Sequence, residues 1–195
     1  VAKAPQMVAG QLDAKRDAIQ NDLDEAARIR AEAERLLAEL KAERAEALKL
    51  LLHFVGDVHQ PMHVSFKEDL GGNKLTVTSF GKKSNMHKVW DTDLIQRRLR
   101  DTKGGWATMS ADLRQAITDD QRKAWAASTN PVDWANESFA ITLQLYAKAP
   151  GNDGVNDDYY KQWNSTLNAR LQAAGVRLGA MLNDTLKAPP TPTKR

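Results

Sequence analysis

Between Gln11 and Val55 the chain contains neither glycine nor proline. These are the residues that most readily end a helix, so nothing in that span interrupts one. From Leu12 to Ala47 the sequence is built mainly of Ala, Leu, Glu, Asp, Lys and Arg, side chains that long helices carry at little cost, and it predicts one continuous helix. Leu12, Ile19, Leu23, Ala26, Leu37 and Leu40 form a thin apolar stripe along it. Asp24 and Arg28, Arg28 and Glu32, and Arg30 and Glu34 stand four apart, the spacing of solvated helical ion pairs. Such a helix pairs with another, self-association through residues 12–47 included, or stands in water.

The composition then changes. No aromatic residue precedes Phe54, and all five Trp lie from Trp90 onward, so the first stretch lacks the bulky side chains of an ordinary core. We place a boundary near residue 45, with a long charged helix over 1–45, a folded domain over 46–186 and a disordered tail over 187–195, which ends in the proline-rich APPTPTKR. Residues 1–50 hold nine basic and ten acidic side chains, so the remainder, with 19 basic and 15 acidic, carries the positive balance. That balance permits an anionic partner without forming the dense cationic patch of a sequence-reading DNA binder. No apolar run approaches the roughly 18 residues of a membrane span, and the first residues lack the basic-then-apolar layout of a secretory signal. With no cysteine, a transition metal would have to be held by imidazole and carboxylate.

All four histidines fall between His53 and His87, in HFVGDVHQPMH and NMHKVWD. His53 and Asp57 are four apart at the end of the helical run, and His87 and Asp91 repeat the spacing. On a helix this sets each imidazole one turn from its carboxylate, on one face. Pro61 is expected to stop the first helix, leaving His63 on the turn or extended segment beyond it. Gly71, Gly72 and Asn73 mark a tight turn, and Leu75, Val77 and Ser79 alternate with Thr76, Thr78 and Phe80 as a short strand before Gly81, which predicts a small β-hairpin between the two pairs. One His-x-x-x-Asp pair alone reads as an ordinary ion pair; two of them with His63 between read as a ligand set. Three imidazoles and two carboxylates suit zinc, which lowers the pKa of water from about 15.7 towards about 7 and polarises a phosphoryl oxygen. Asp57, with two oxygens, is able to bridge two ions. His59, six positions from His53, points to another helix face and is taken as a residue behind the ligands or on the surface.

HFVGDVHQPMH, the following EDLGGN and NMHKVWDTDLI resemble the signature of the S1/P1 nucleases. The likeness extends through NPVDWANESFA and the last helix, over about residues 46–183, and corresponds to the C-terminal part of that family's domain. It implies an all-α, mainly helical fold of the phospholipase C/P1 nuclease type with a short β-hairpin, up to three zinc ions, and hydrolysis of single-stranded DNA and RNA or of nucleotides. By the same resemblance His63, His87 and Asp91 form one zinc site, His53 and Asp57 supply half of a second, and Asp57, the catalytic carboxylate, also reaches the third. Asn73 and Gly72 match the substrate-contacting turn, and Lys82 and Lys83 stand as phosphate candidates. The family draws its other ligands from an N-terminal Trp and from upstream His and Asp residues. No histidine precedes His53 here, so one complete zinc site is expected. A secreted or periplasmic location is implied by the resemblance alone. Residues of about 1–45 resemble instead the stalk helix of the b-type subunit of rotary ATP synthases. Two other functions remain open: a zinc-binding remnant without turnover joined to an interaction helix, and a zinc phospholipase C-like hydrolase.

Asn130-Pro131 with Asp133 predicts a helix start. Tyr160, Trp163, Leu167, Leu171, Ala174, Leu178 and Met181 predict the buried stripe of a last helix.

Overall fold

A computed structural model describes residues 3–151 and 154–186, with side chains from residue 14 onward. The expected tail over 187–195 and the side chain of Leu12 lie outside the described residues. The chain divides into two compact units, Val1–Leu50 and Leu51–Arg195.

The first unit consists of the helix α1, Lys3–Val58, as far as Leu50. Every described side chain from residue 14 to residue 50 is exposed. The apolar stripe is bare, with Ile19, Leu23, Leu37 and Leu40 all more than half exposed. Of the expected ion pairs, Arg30 and Glu34 meet at 2.9 Å. Arg28 instead turns back one turn to Glu25, at 2.7 Å, because a fork of guanidinium donors closes on a carboxylate three residues back as easily as on one four away. Exposed pairs of this kind contribute little, because water and salt screen them.

The second unit is mainly helical. The last turns of α1 run to Val58, and a 3-10 turn occupies Pro61–Val64. Strands β1, Thr76–Ser79, and β2, Lys82–Asn85, pair antiparallel with Thr76 opposite Asn85. Phe80 and Gly81 between them both have positive φ, 45° and 79°, which is what a two-residue hairpin loop demands. The run after Gly81 is thus a second strand, and Lys82 and Lys83 begin it. Helices α2, Met86–Lys88, and α3, Leu94–Asp101, are joined by a π turn over Val89–Asp93. There follow α4, Gly105–Gln115; α5, Asp119–Ala126; α6, Pro131–Ala147; and α7, Asp157–Thr185. Asn130 caps α6 by accepting from the Val132 amide at 3.1 Å, the start that Asn-Pro predicts.

The core joins Met62, Met86, Val89, Trp90 and Leu94 to Leu145, Val155, Tyr159, Tyr160, Trp163 and Leu167. Trp90 and Trp163 meet edge to face at 5.9 Å between ring centroids, a favoured aromatic geometry. The expected stripe of α7 is buried at Tyr160, Trp163 and Leu167, but further along the fully buried positions include Arg170 and Arg177. Two charged residues occupy that face because a carboxylate on α6 waits for them, as described next.

Candidate metal centre

The last turns of α1, from Leu51 on, belong to the second unit, and neighbouring helices satisfy the carbonyls that the helix's termination leaves open. Ser138 Oγ donates to Val58 O at 2.6 Å, Arg170 Nε to His59 O at 3.2 Å, and Thr142 Oγ1 to Pro61 O at 2.6 Å. Buried backbone acceptors need such partners. Arg170 and Arg177 share Glu137: Arg170 reaches it at 2.8 Å and Arg177 at 2.6 Å. Hydrogen bonds from Arg177, opposed by burial and reinforced by Arg170, pull the Glu137 carboxyl from 4.5 down to about 2.

His59 belongs to this network. It is 2% exposed, so the surface alternative is excluded. Its Nδ1 lies 2.7 Å from Val55 O and its Nε2 2.9 Å from Arg177 Nη1. Burial pushes the imidazole down to about 4. A neutral ring with a proton on Nδ1 satisfies both contacts, with Nε2 accepting from the guanidinium.

On the opposite side of the same segment, the remaining histidines converge. His53 Nε2 and Asp57 Oδ2 are 3.1 Å apart, one turn along α1. His63, delivered by the 3-10 turn, bridges two carboxylates: Nδ1 lies 3.4 Å from Asp57 Oδ1 and Nε2 3.0 Å from Asp91 Oδ1. His87 Nε2 is 3.1 Å from Asp91 Oδ2. The rings of His63 and His87 stack, with centroids 4.9 Å apart and planes 14° from parallel. The π turn begins between His87 and Asp91, a local widening of a helix that often accompanies functional residues.

Two further residues hold this arrangement. Gln60 Nε2 donates to Asp91 Oδ1 at 2.6 Å, while its Oε1 accepts from the Met62 amide and so caps the 3-10 turn. Gly71 O accepts from His87 Nδ1 at 2.9 Å, which fixes the proton there and leaves the Nε2 lone pair towards Asp91. Gly71 has φ of +64°, and a Cβ on it would stand 2.5 Å from Met62 O. The turn is tied down by Asp69, whose Oδ1 accepts from the Gly72 amide at 2.9 Å and whose Oδ2 accepts from the Tyr146 hydroxyl. Sequence spacing gives no sign of Gln60 or Gly71 in these parts. Gln60 did carry one signal, standing before Pro61 where a cap is needed.

Of the other sequence candidates, Gly72 is buried under Met62 and Met86. Asn73 is exposed, its Nδ2 donating to Leu70 O at 2.8 Å. Lys82 and Lys83 are exposed on β2. A groove of about 760 Å³ is lined by Phe54, Val58, Phe66, Leu70 and Trp134 together with Asp57, His63 and His87.

The donor set fits a zinc ion. Ligands held tetrahedrally at about 2.0–2.1 Å from zinc stand roughly 3.3 Å from one another. One ligand atom each from His63, His87 and Asp91 lies within 4.8 Å of the others, so a small contraction completes the match. Their side chains are 25, 23 and 34% exposed, open enough for a further ligand. Among the described residues no helix is long and apolar enough to cross a membrane.

Comparison with known proteins follows the same residues. The S1/P1 Nuclease family profile matches residues 6–187, beginning well upstream of the motifs and taking in most of α1. The chain is 33% identical to Endonuclease 4 of Arabidopsis thaliana over 155 residues, covering 74% of this chain and 52% of that one. It is 34% identical to Endonuclease 2 of the same plant over 147 residues, 71% of this chain and 51% of that one. Against Nuclease P1 of Penicillium citrinum it is 28% identical over 156 residues, 72% of this chain and 57% of that one. The chain therefore spans about half the length of the relatives it matches.

Proposed function

Since the chain belongs to the S1/P1 nuclease family, we propose that it is a zinc-dependent hydrolase of nucleic-acid phosphodiesters, acting on single-stranded DNA and RNA. The observation that carries this reading is the convergence of His63, His87 and Asp91 within 4.8 Å. These three hold one ion in this reading, and His53 and Asp57 contribute to a second. When bound, zinc supplies Lewis-acid activation of water and of the phosphoryl oxygen.

The chain's own residues prepare that chemistry. Gly71 keeps the His87 proton on Nδ1, so Nε2 stays available as a donor of electrons. Gln60 holds one Asp91 oxygen and leaves the carboxylate oriented between the two imidazoles. Asp57, with one oxygen towards His53 and the other towards His63, is the carboxylate that orients the attacking water and receives its proton. Asn73 contacts the substrate from the Gly-Gly-Asn turn. The apolar side chains of the adjoining groove offer a face on which a base stacks, an interaction indifferent to base identity. A secreted or periplasmic location belongs to the same proposal and rests on the family resemblance.

The test is hydrolysis of a single-stranded oligonucleotide by this chain in zinc, beside EDTA and a His87→Ala control that exposes contaminating nuclease. Chelator-sensitive cleavage lost in the variant is the expected result. A folded, zinc-loaded chain that cleaves nothing would reassign the site to metal binding without turnover.

A further inference from the structure

A second cavity, of about 240 Å³, opens between the hairpin and the helix that carries His87 and Asp91, and its lining includes Lys82, Lys83, Lys88 and Arg100. Lys88 follows His87 and Thr92 follows Asp91, so the cavity lies roughly 100° around the helix from the metal ligands, on the neighbouring face. None of the three lysines makes a close ion pair among the described residues, and Arg100 interacts with the Asp157 carboxylate only through space. Arg100 stands over the Phe80 ring at 5.5 Å from its centroid, which fixes the guanidinium above the hairpin tip. The acid in the lining, Asp93, already accepts from Ser84 Oγ at 2.8 Å.

Beside the cations, the cavity is bordered by a buried polar residue. Ser79 is 4% exposed, and its hydroxyl is buried with no hydrogen-bond partner among the described residues. A hydroxyl left in that state costs free energy, commonly about 1–3 kcal/mol.

We propose that this cavity is a binding site for the phosphodiester backbone of a nucleic-acid strand, distinct from the metal centre and leading onto it. The proposal rests on the reading of nucleic acid as substrate. Four cations spread over one strand and two helices suit a chain of phosphates better than one ion. Lys82 and Lys83 are consecutive on β2 and so leave it on opposite faces, while Lys88 and Arg100 approach the cavity from α2 and α3, so the charges border a track rather than a point.

The experiment measures binding of a fluorescein-labelled oligothymidylate in EDTA, so that cleavage plays no part. A variant carrying Lys82→Ala, Lys88→Ala and Arg100→Ala is expected to bind at least about tenfold more weakly. The slope of log affinity against log salt is expected to fall by about 2, at roughly 0.7 for each single-strand phosphate that is no longer neutralised. Exchanging the same residues for the other cation, Lys82→Arg, Lys88→Arg and Arg100→Lys, should restore binding, which separates charge from folding. Unchanged affinity and slope in the neutral variant would overturn the proposal. Displacement of the strand by inorganic phosphate, beyond what chloride achieves at equal ionic strength, would overturn it in favour of a discrete phosphate pocket. Charge-dependent binding that persists in a chain with no cleavage activity would retain this groove and reject the hydrolase reading, so the two fail separately.

Discussion

His87 has two ring nitrogens, and a backbone carbonyl decides which one serves a cation. Gly71 O holds the Nδ1 proton at 2.9 Å, and Gly71 reaches that place only with φ of +64° and no side chain. In Gly71→Ala the methyl would collide with Met62 O and the positive φ would add about 1–2 kcal/mol of strain. The carbonyl then leaves His87. Zinc affinity is expected to drop about 10–100-fold, the usual consequence of losing a partner behind a ligand, in a competition titration against a chelating indicator. Gly81→Ala is the control, since Gly81 has φ of +79° but open space for a Cβ. It should lose stability at the hairpin and keep its zinc affinity. Equal affinity losses in both variants would show that general strain, not the Gly71 carbonyl, governs the site. The paired His and Asp residues were legible because one helical turn brings them together locally. The stacking of His63 on His87 and the reach of Gln60 to Asp91 join residues roughly 24 and 31 positions apart, and no spacing rule encodes those.

At the level of elements, α6 and α7 act as a clamp on the segment between Val58 and Pro61. Helix starts and the aromatic part of the α7 stripe could be read directly, since capping and periodicity are local signals. Arg170 and Arg177 could not, because an arginine in a sequence reads as solvent-facing until its counterion is known, and Glu137 lies on another helix. Removing that counterion should be costly. Glu137→Gln strands two guanidinium groups whose side chains are 9 and 2% exposed, and because the Glu137 side chain is itself 41% exposed and partly screened, about 1–3 kcal/mol of unfolding free energy is expected to go with it near pH 7. The pH dependence has a definite sign. A carboxyl lowered on folding contributes stability that is complete above its unfolded value of 4.5 and is lost as pH falls through its folded value of about 2. Denaturation of parent and variant should therefore differ most above pH 4.5 and converge as the pH approaches about 2. A gap that stays constant across that window would mean that Glu137 acts by packing and not by charge. Ser138→Ala, which frees Val58 O and removes one Arg170 partner, should cost about 1–3 kcal/mol by the same measurement.

At the level of the molecule, the two units answer differently to any ligand. Residues 14–50 expose every described side chain, so their helix is supported by backbone hydrogen bonds and by surface pairs that water and salt screen. An isolated helix in water is marginal even with good propensity, because tertiary packing normally supplies most of its stability. The centre formed by His63, His87 and Asp91 lies wholly in the other unit. Zinc at a hundred times its dissociation constant stabilises whatever binds it by about 2.7 kcal/mol. Amide hydrogen exchange should then show two behaviours in one chain. Protection over 53–63, 71–72 and 86–91 is expected to rise with zinc by a factor on the order of a hundred. Residues 14–50 should exchange quickly with or without the ion, whatever the protein concentration. Strong protection of 14–50 that grows with concentration would contradict this and show that a second copy covers Ile19, Leu23, Leu37 and Leu40. The sequence stripe left that choice open, because a thin apolar seam at helical spacing is compatible with a partner and with water alike. Protection that is independent of concentration but rises with zinc would instead mean that the long helix is coupled to the metal centre, and that the division at Leu50 does not describe how the chain unfolds.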